Sequence, residues 1–202
     1  MPILFFSFFI IIISVINFFA SKASRKDKEK QDAFWAKEGQ ANSVPKQDIS
    51  LLPYITLEED LFCLHFEDEV LTALEAQVLS YKGEKILNLT GISNTDLKLL
   101  YGSTNLPFLT QCDENFTNLC KLIFDWGKAL IDTGHINEAR TVLEYGIHIG
   151  SDITGNYTVL AHLYLDQKAS YKIDELLSYA QSLNSLSKDT IILKLKELVH
   201  PN

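Results

Sequence analysis

The chain is poor in the residues that most often carry chemistry. Three cysteines, Cys63, Cys112 and Cys120, are scattered along 202 residues. So few thiols without regular spacing exclude a disulfide framework and fit a reducing compartment. Cys112 and Cys120 have no neighbour at zinc-ligand spacing. The five histidines, His65, His135, His148, His162 and His200, include no pair at i, i+4 and no HExxH setting. There is no glycine-rich phosphate loop and no GxSxG. The carboxylates Asp125, Asp132 and Glu138 fall on helical segments where exposed acids are ordinary. The acidic clusters Glu58-Glu59-Asp60 and Glu67-Asp68-Glu69 read as solvated faces or helix N-terminal charge. These absences argue against an enzyme and imply no cofactor and no metal.

Basic residues are scarce where nucleic acid would need them. From Leu51 to Asn202 there are 11 basic and 21 acidic residues, a net charge of −10. A phosphate backbone is bound by clustered Lys and Arg, so no nucleic-acid partner is expected. From Ser21 to Ser50 the balance reverses, with seven basic and five acidic residues, or +2.

What the chain does have is a long apolar run. Ile3 to Ala20 is interrupted only by Ser7, Ser14 and Asn17. Eighteen helical residues at about 1.5 Å each span roughly 27 Å, close to a bilayer's hydrocarbon thickness. Lys22, Arg25, Lys26, Lys28 and Lys30 follow, against Asp27 and Glu29. The basic flank orients such a helix with its C-terminal side in the cytoplasm and can meet anionic head groups. The alternative is a cleaved signal peptide, with Ala20 and Ala23 as its small residues. The run is long for an h-region and no charged side chain precedes it. The expected layout is a membrane anchor over 1–21, lipid contact through 3–20, and a charged stalk over 22–50. A helical region over 51–110 and a helical tail over 111–202 complete it. Phe34 and Trp35 would rest at the interface or on the domain, and Asn42–Pro45 reads as a break. Sequons at Asn88, Asn115 and Asn156 are read as chance triplets.

Leu51–Phe62 reads as extended or irregular. Helical spacing of Val70, Leu71, Leu74, Val78 and Leu79 predicts a helix over 67–81, broken by Gly83. A short helical turn is expected over Glu84–Leu89. Ser93, with Asp96 three residues on, reads as a capped helix start, with Gly102 as its stop. Asn105-Leu106-Pro107 reads as a loop.

The C-terminal half repeats itself when Cys120–Ile153 is set on Thr154–Ser187. Ile123 then meets Tyr157, Trp126 meets Leu160, Gly127 meets Ala161, and Leu130 meets Tyr164. Ala139 meets Ile173, Leu143 meets Leu177, Gly146 meets Ala180, and Ser151 meets Ser185. The period, about 34 residues, resembles that of the tetratricopeptide repeat, a pair of antiparallel helices. The small residues at Gly127, Ala161, Gly134 and Ala139 carry the same resemblance. Lys168, Ile173, Ser151 and Ser185 depart from the family pattern. An ordinary helical hairpin bundle is the alternative. Lys188–Val199 would cap the stack, and 51–109 would cover its other end. The layout also resembles uncharacterised bacterial membrane-anchored proteins with a tetratricopeptide-like tail, most specifically over Lys85–Gly102. That resemblance brings no activity with it.

The fold expected is therefore all-α: a single transmembrane helix, then a soluble helical domain. That domain ends in two tetratricopeptide-like hairpins, 120–153 and 154–187, and a capping helix. Trp126, Tyr157 and Tyr164 are expected in the core. The resemblance implies a concave face formed by the first helix of each repeat. It selects Lys121, Phe124, Lys128 and Asp132, then Thr158, His162 and Asp166, as contacts for a protein or peptide partner. Phe124 stands where a carboxylate-clamp lysine would be. The function expected is a non-catalytic adaptor at the cytoplasmic membrane surface, or a structural or assembly subunit of a larger membrane complex.

Overall fold

The computed structural model describes residues 2–57 and 66–199, and only the backbone of residues 2–18, 20, 21, 23 and 24. Cys63, His65, His200 and the Glu58-Glu59-Asp60 cluster lie outside the described residues, and so do the side chains of most of the Ile3–Ala20 run. The described residues are all-α, with a single isolated β-bridge, Ile55 to Ile86. Among the described residues no helix is long and apolar enough to cross a membrane. The helices are α1 (Pro2–Ser43), α2 (Glu69–Leu79), α3 (Asn94–Tyr101), α4 (Leu106–Asp132), α5 (Ile136–His148), α6 (Thr154–Asp166), α7 (Lys172–Ser182) and α8 (Lys188–Val199). They fall into two compact units, residues 1–47 with 93–106, and residues 48–92 with 107–202. Segment 93–106 thus belongs with the N-terminal helix rather than with its chain neighbours.

In the first unit, α3 starts where Ser93 Oγ accepts the amide of Asp96 at 3.2 Å. It stops at Gly102, whose φ of 85° closes the last turn. A side chain at Gly102 would meet the carbonyl oxygen of Pro45 at 2.5 Å. The C-terminal end of α1 is held to α3 by two ion pairs of opposite polarity. Lys37 reaches Asp96 at 2.7 Å, and Lys98 reaches both Glu38 and Asn42. The lysine partners hold the Glu38 and Asp96 carboxyls below the ordinary carboxylate range. Phe34 and Trp35 are 52% and 61% exposed and stack edge to face on each other.

In the second unit, Asp68 caps α2 by accepting the amides of Val70 and Leu71. Two local expectations are corrected. Glu84–Leu89 is not helical: Leu87 donates to the Cys112 carbonyl and Leu89 to the Asp113 carboxylate, while Ile86, Leu87 and Leu89 are buried. These amides find partners on α4, so no helical turn is needed to satisfy them. Pro107 is not in a loop. It sits in the first turn of α4, where a missing N–H breaks no helical bond.

One core cluster joins Leu71, Val78 and Ile86 to Phe116, Ile123 and Trp126 of α4. A second joins Leu143, Tyr157, Leu160, Ile173, Ile191 and Leu195. Trp126, Tyr157 and Tyr164 are buried, as the repeat resemblance implies.

The period of the sequence reappears in the backbone. Helices α4 and α6 end at the matched residues Asp132 and Asp166, and α5 and α7 at His148 and Ser182. One further period carries the start of α6 at Thr154 onto the start of α8 at Lys188. The caps recur as well. Gly134 donates to the carbonyl of Ile131, and His135 to that of Leu130. Lys168 donates to Leu165 and Ala169 to Tyr164 in the same pattern. Both are Schellman caps, which need a left-handed residue. Gly134 has φ 85° and Lys168 φ 57°, the one non-glycine with positive φ among the described residues. The two serines at the repeat ends also act alike. Ser151 Oγ accepts the amide of Ile153, and Ser185 Oγ that of Ser187. A hydroxyl turn thus precedes the next helix in both places.

Gly127 lets α4 and α5 touch. A Cβ there would meet Leu143 Cδ2 at 2.5 Å, and Leu143 is fully buried. Gly127→Leu should therefore lower stability by about 1–3 kcal/mol or more through overpacking. Lys168→Gly should raise it by about 0.5–1 kcal/mol by relieving left-handed strain, net of glycine's larger entropy loss. Thermal denaturation of both variants checks this. An unchanged Gly127→Leu melting temperature would place that residue away from a helix crossing.

Candidate functional site

The expected partner face lies on α4 and α6. Lys121, Lys128, Asp132, His162 and Asp166 are exposed, and Phe124 and Thr158 are half-buried. The structure brings some of them together. The Phe124 ring covers the first turn of α6, where a Cβ on Gly155 would meet Phe124 Cζ at 2.5 Å. Lys128 Nζ stands 5.8 Å from the centre of the same ring, within cation–π range. Thr158 donates to the Gly155 carbonyl at 3.2 Å beside it. Phe124, Lys128 and Thr158 therefore share one patch, built because Gly155 has no side chain. Lys121, Asp132, His162 and Asp166 make no hydrogen bond or ion pair among the described residues. They are solvated rather than assembled into a site.

A second feature lies on the other helix of each pair. Between α5 and α7, over α6, is a cavity of about 450 Å³. Helix α5 contributes Glu144 and His148, one helical turn apart, and α7 contributes Lys172, Glu175 and Tyr179. Its floor is the buried side chains of Leu160, Leu176 and Ile147. Glu144 organises one end. It accepts from the Tyr164 hydroxyl at 2.7 Å and from Lys172 at 3.1 Å, and lies 3.9 Å from Arg140 Nε. Lys172 Nζ also sits 5.0 Å from the centre of the Tyr164 ring. Burial, and then the bond to Glu144, pushes the Tyr164 hydroxyl pKa up, so Tyr164 stays a donor. Residue patterns alone do not reveal this cavity. Its one trace in the sequence is the pair Tyr145 and Tyr179, which occupy matched positions on the two second helices.

The two thiols among the described residues are packing groups. Cys112 and Cys120 are buried, and neither forms a disulfide. Burial pushes the Cys120 thiol up from 9.0 to about 12, although a bond to Ser151 opposes that rise. Among the described residues no group of three or more His, Cys, Asp or Glu side chains could hold a metal ion. The sequon asparagines are engaged in the fold. Asn156 is fully buried, Asn88 donates to the Gly150 carbonyl, and Asn115 donates to that of Lys85.

No protein-family model, no curated protein and no solved structure matches the chain.

The raised Cys120 pKa has a pH consequence. The folded thiol keeps its proton while the unfolded thiol loses it near pH 9. The stability tied to that proton is thus full below pH 9 and is lost as pH rises toward 12. Native protein at pH 8 should resist iodoacetamide at Cys120, and unfolded protein should not. Mass spectrometry of the Cys120 peptide reads both, and rapid native alkylation would contradict the burial.

Proposed function

We propose that this chain is a non-catalytic, membrane-anchored adaptor. Its paired helices would form a tetratricopeptide-like scaffold that holds a protein segment along the α4–α6 face at the cytoplasmic membrane surface. The observation that carries the reading is the recurrence of helix ends and caps at the repeat period, with an aromatic–lysine patch on the first helices. Phe124, covering Gly155, supplies a fixed apolar contact, and Lys128 beside it a solvated charge. Lys121 lies two turns before Lys128 along one helix. A partner meeting both would present acidic groups. Its binding would weaken with salt, since exposed charges are screened over about 8 Å at physiological ionic strength. Residues 3–20 would supply the lipid contact.

One observation favours a second reading, a structural or assembly subunit of a larger membrane complex. The Phe34 and Trp35 rings of α1 are exposed and stack edge to face on each other. Such a pair suits an obligate helical neighbour.

Affinity capture from detergent tests the first reading against the second. Lys121→Glu with Lys128→Glu should leave stability nearly unchanged, because both side chains are exposed, and should abolish capture of a soluble partner. Recovery of every wild-type partner by a stably folded double variant would defeat the adaptor. A stoichiometric membrane partner kept by that variant would establish the subunit instead. Orientation has its own readout. A reporter fused after Asn202 should be active as a cytoplasmic fusion, and alkaline phosphatase activity there would reverse the topology.

A further inference from the structure

The α5–α7 groove has a volume within the roughly 300–1,000 Å³ range of ligand sites, an apolar floor and a few convergent polar groups. Its charges divide into spent and unspent. Lys172 is committed to Glu144 and to the face of Tyr164, so the groove's own cation is occupied. Glu144 in turn holds Lys172 and Tyr164. Glu175, one turn along α7 from Lys172, is exposed and makes no hydrogen bond or ion pair among the described residues. Tyr179, a further turn along, is 43% exposed. The unspent groups are thus the Glu175 carboxylate and the Tyr179 ring on α7 and the His148 imidazole on α5, beside a floor of Leu160 and Leu176.

Each class of occupant meets this arrangement differently. An anion would be repelled by Glu175. A purely apolar group would cover the floor but strip water from Glu175 without replacing it, which is unfavourable for any charge. A cation joined to an apolar body satisfies both. The apolar part fills the floor, while the charge pairs with Glu175 and lies against the Tyr179 ring. The −10 charge of residues 51–202 attracts such a partner at long range. Both walls are helices with exposed residues at the mouth, so the groove is open along its length and admits a chain as well as a single molecule.

We propose that the groove between α5 and α7 binds a protein segment that presents a lysine or arginine next to an apolar side chain. This does not rest on the adaptor reading. The groove uses the second helices, carries the opposite charge from Lys121 and Lys128, and calls for a basic rather than an acidic partner.

The test uses the full chain in detergent with ¹³C-labelled tyrosine rings. The probe is the tripeptide acetyl-Leu-Arg-Leu-amide, with its citrulline analogue as a neutral isostere and tyramine as a free amine. The arginine peptide should shift the Tyr179 ring signal saturably. The citrulline peptide should bind about fivefold more weakly, the scale of one exposed charge pair. Glu175→Gln should weaken the arginine peptide by a similar factor and leave the citrulline peptide unchanged. Lys121→Glu with Lys128→Glu should leave the arginine peptide's affinity unchanged, which separates this site from the α4–α6 face. The proposal is overturned if no saturable shift occurs, or if Glu175→Gln binds the arginine peptide as well as wild type. Tyramine binding as tightly as the peptide would also overturn it, in favour of a small amine.

Discussion

Helices α4 and α5 touch because Gly127 has no side chain. Where a Cβ would stand, the Leu143 methyl is already present at 2.5 Å. The same pair of helices meets again at Gly146, where a Cβ would lie 2.6 Å from the Asn156 amide and 3.0 Å from Ile123. Two glycines thus bring three helices, α4, α5 and α6, close together. Much else follows from that approach. It buries Ile123, Trp126 and Leu143 completely, and α4 carries the Phe124 ring over Gly155. Interiors are packed like crystals, so a close crossing cannot be loosened locally without moving its neighbours.

The second constraint is turn chemistry. Each first helix ends in a left-handed residue whose amide, with the next, returns to the last-turn carbonyls. Gly134 adopts that conformation without strain, whereas Lys168 does so with a side chain. Each second helix is followed by a serine whose hydroxyl takes the amide two residues on. The repeat is therefore kept in hydrogen-bond geometry where it is lost in residue identity. Lys168, Ser151 and Ser185 thus keep the two sets of turns alike.

The two surfaces of the repeat have different characters for a related reason. First helices alternate core residues with solvated charges, leaving Lys121 and Lys128 outward and one aromatic patch at Phe124. Second helices diverge enough to leave a groove, and Glu144 closes its end by drawing in Tyr164, Lys172 and Arg140. A carboxylate that collects three such partners is organised before any ligand arrives. Glu175 lies on the other wall, α7, and collects none.

Local patterns in the sequence were enough for the helices whose signals are local. Spacing of Val70, Leu71, Leu74, Val78 and Leu79 marks α2. Ser93 and Gly102 bound α3, because caps and stops act within one turn. The repeat shift over Cys120–Ser187 locates the second half of α4, then α5, α6 and α7, and their small crossing residues, since side-chain volume at a crossing is written residue by residue. The sequence could not show that Glu84–Leu89 is not helical, because the Leu87 and Leu89 amides are satisfied by Cys112 and Asp113, on a helix well beyond the reach of local pattern. Nor could it show Pro107 opening a helix, since Pro is compatible with both a loop and a first turn. Of the partner face, the choice of Lys121, Lys128, His162 and Asp166 came from the tetratricopeptide resemblance, and all four are exposed. The joining of Phe124 to Gly155, which belongs to the next repeat, was not legible. The groove was the least legible feature. Its walls come from α5 and α7 and its floor from α6, and only packing decides which faces of three helices converge on one space. The sequence by itself determined where α2, α3 and the helices after Cys120 run, because those rest on spacing and turns. The tertiary structure alone decided which charges on them meet partners and which stay unspent, because that depends on distances between residues far apart in the chain.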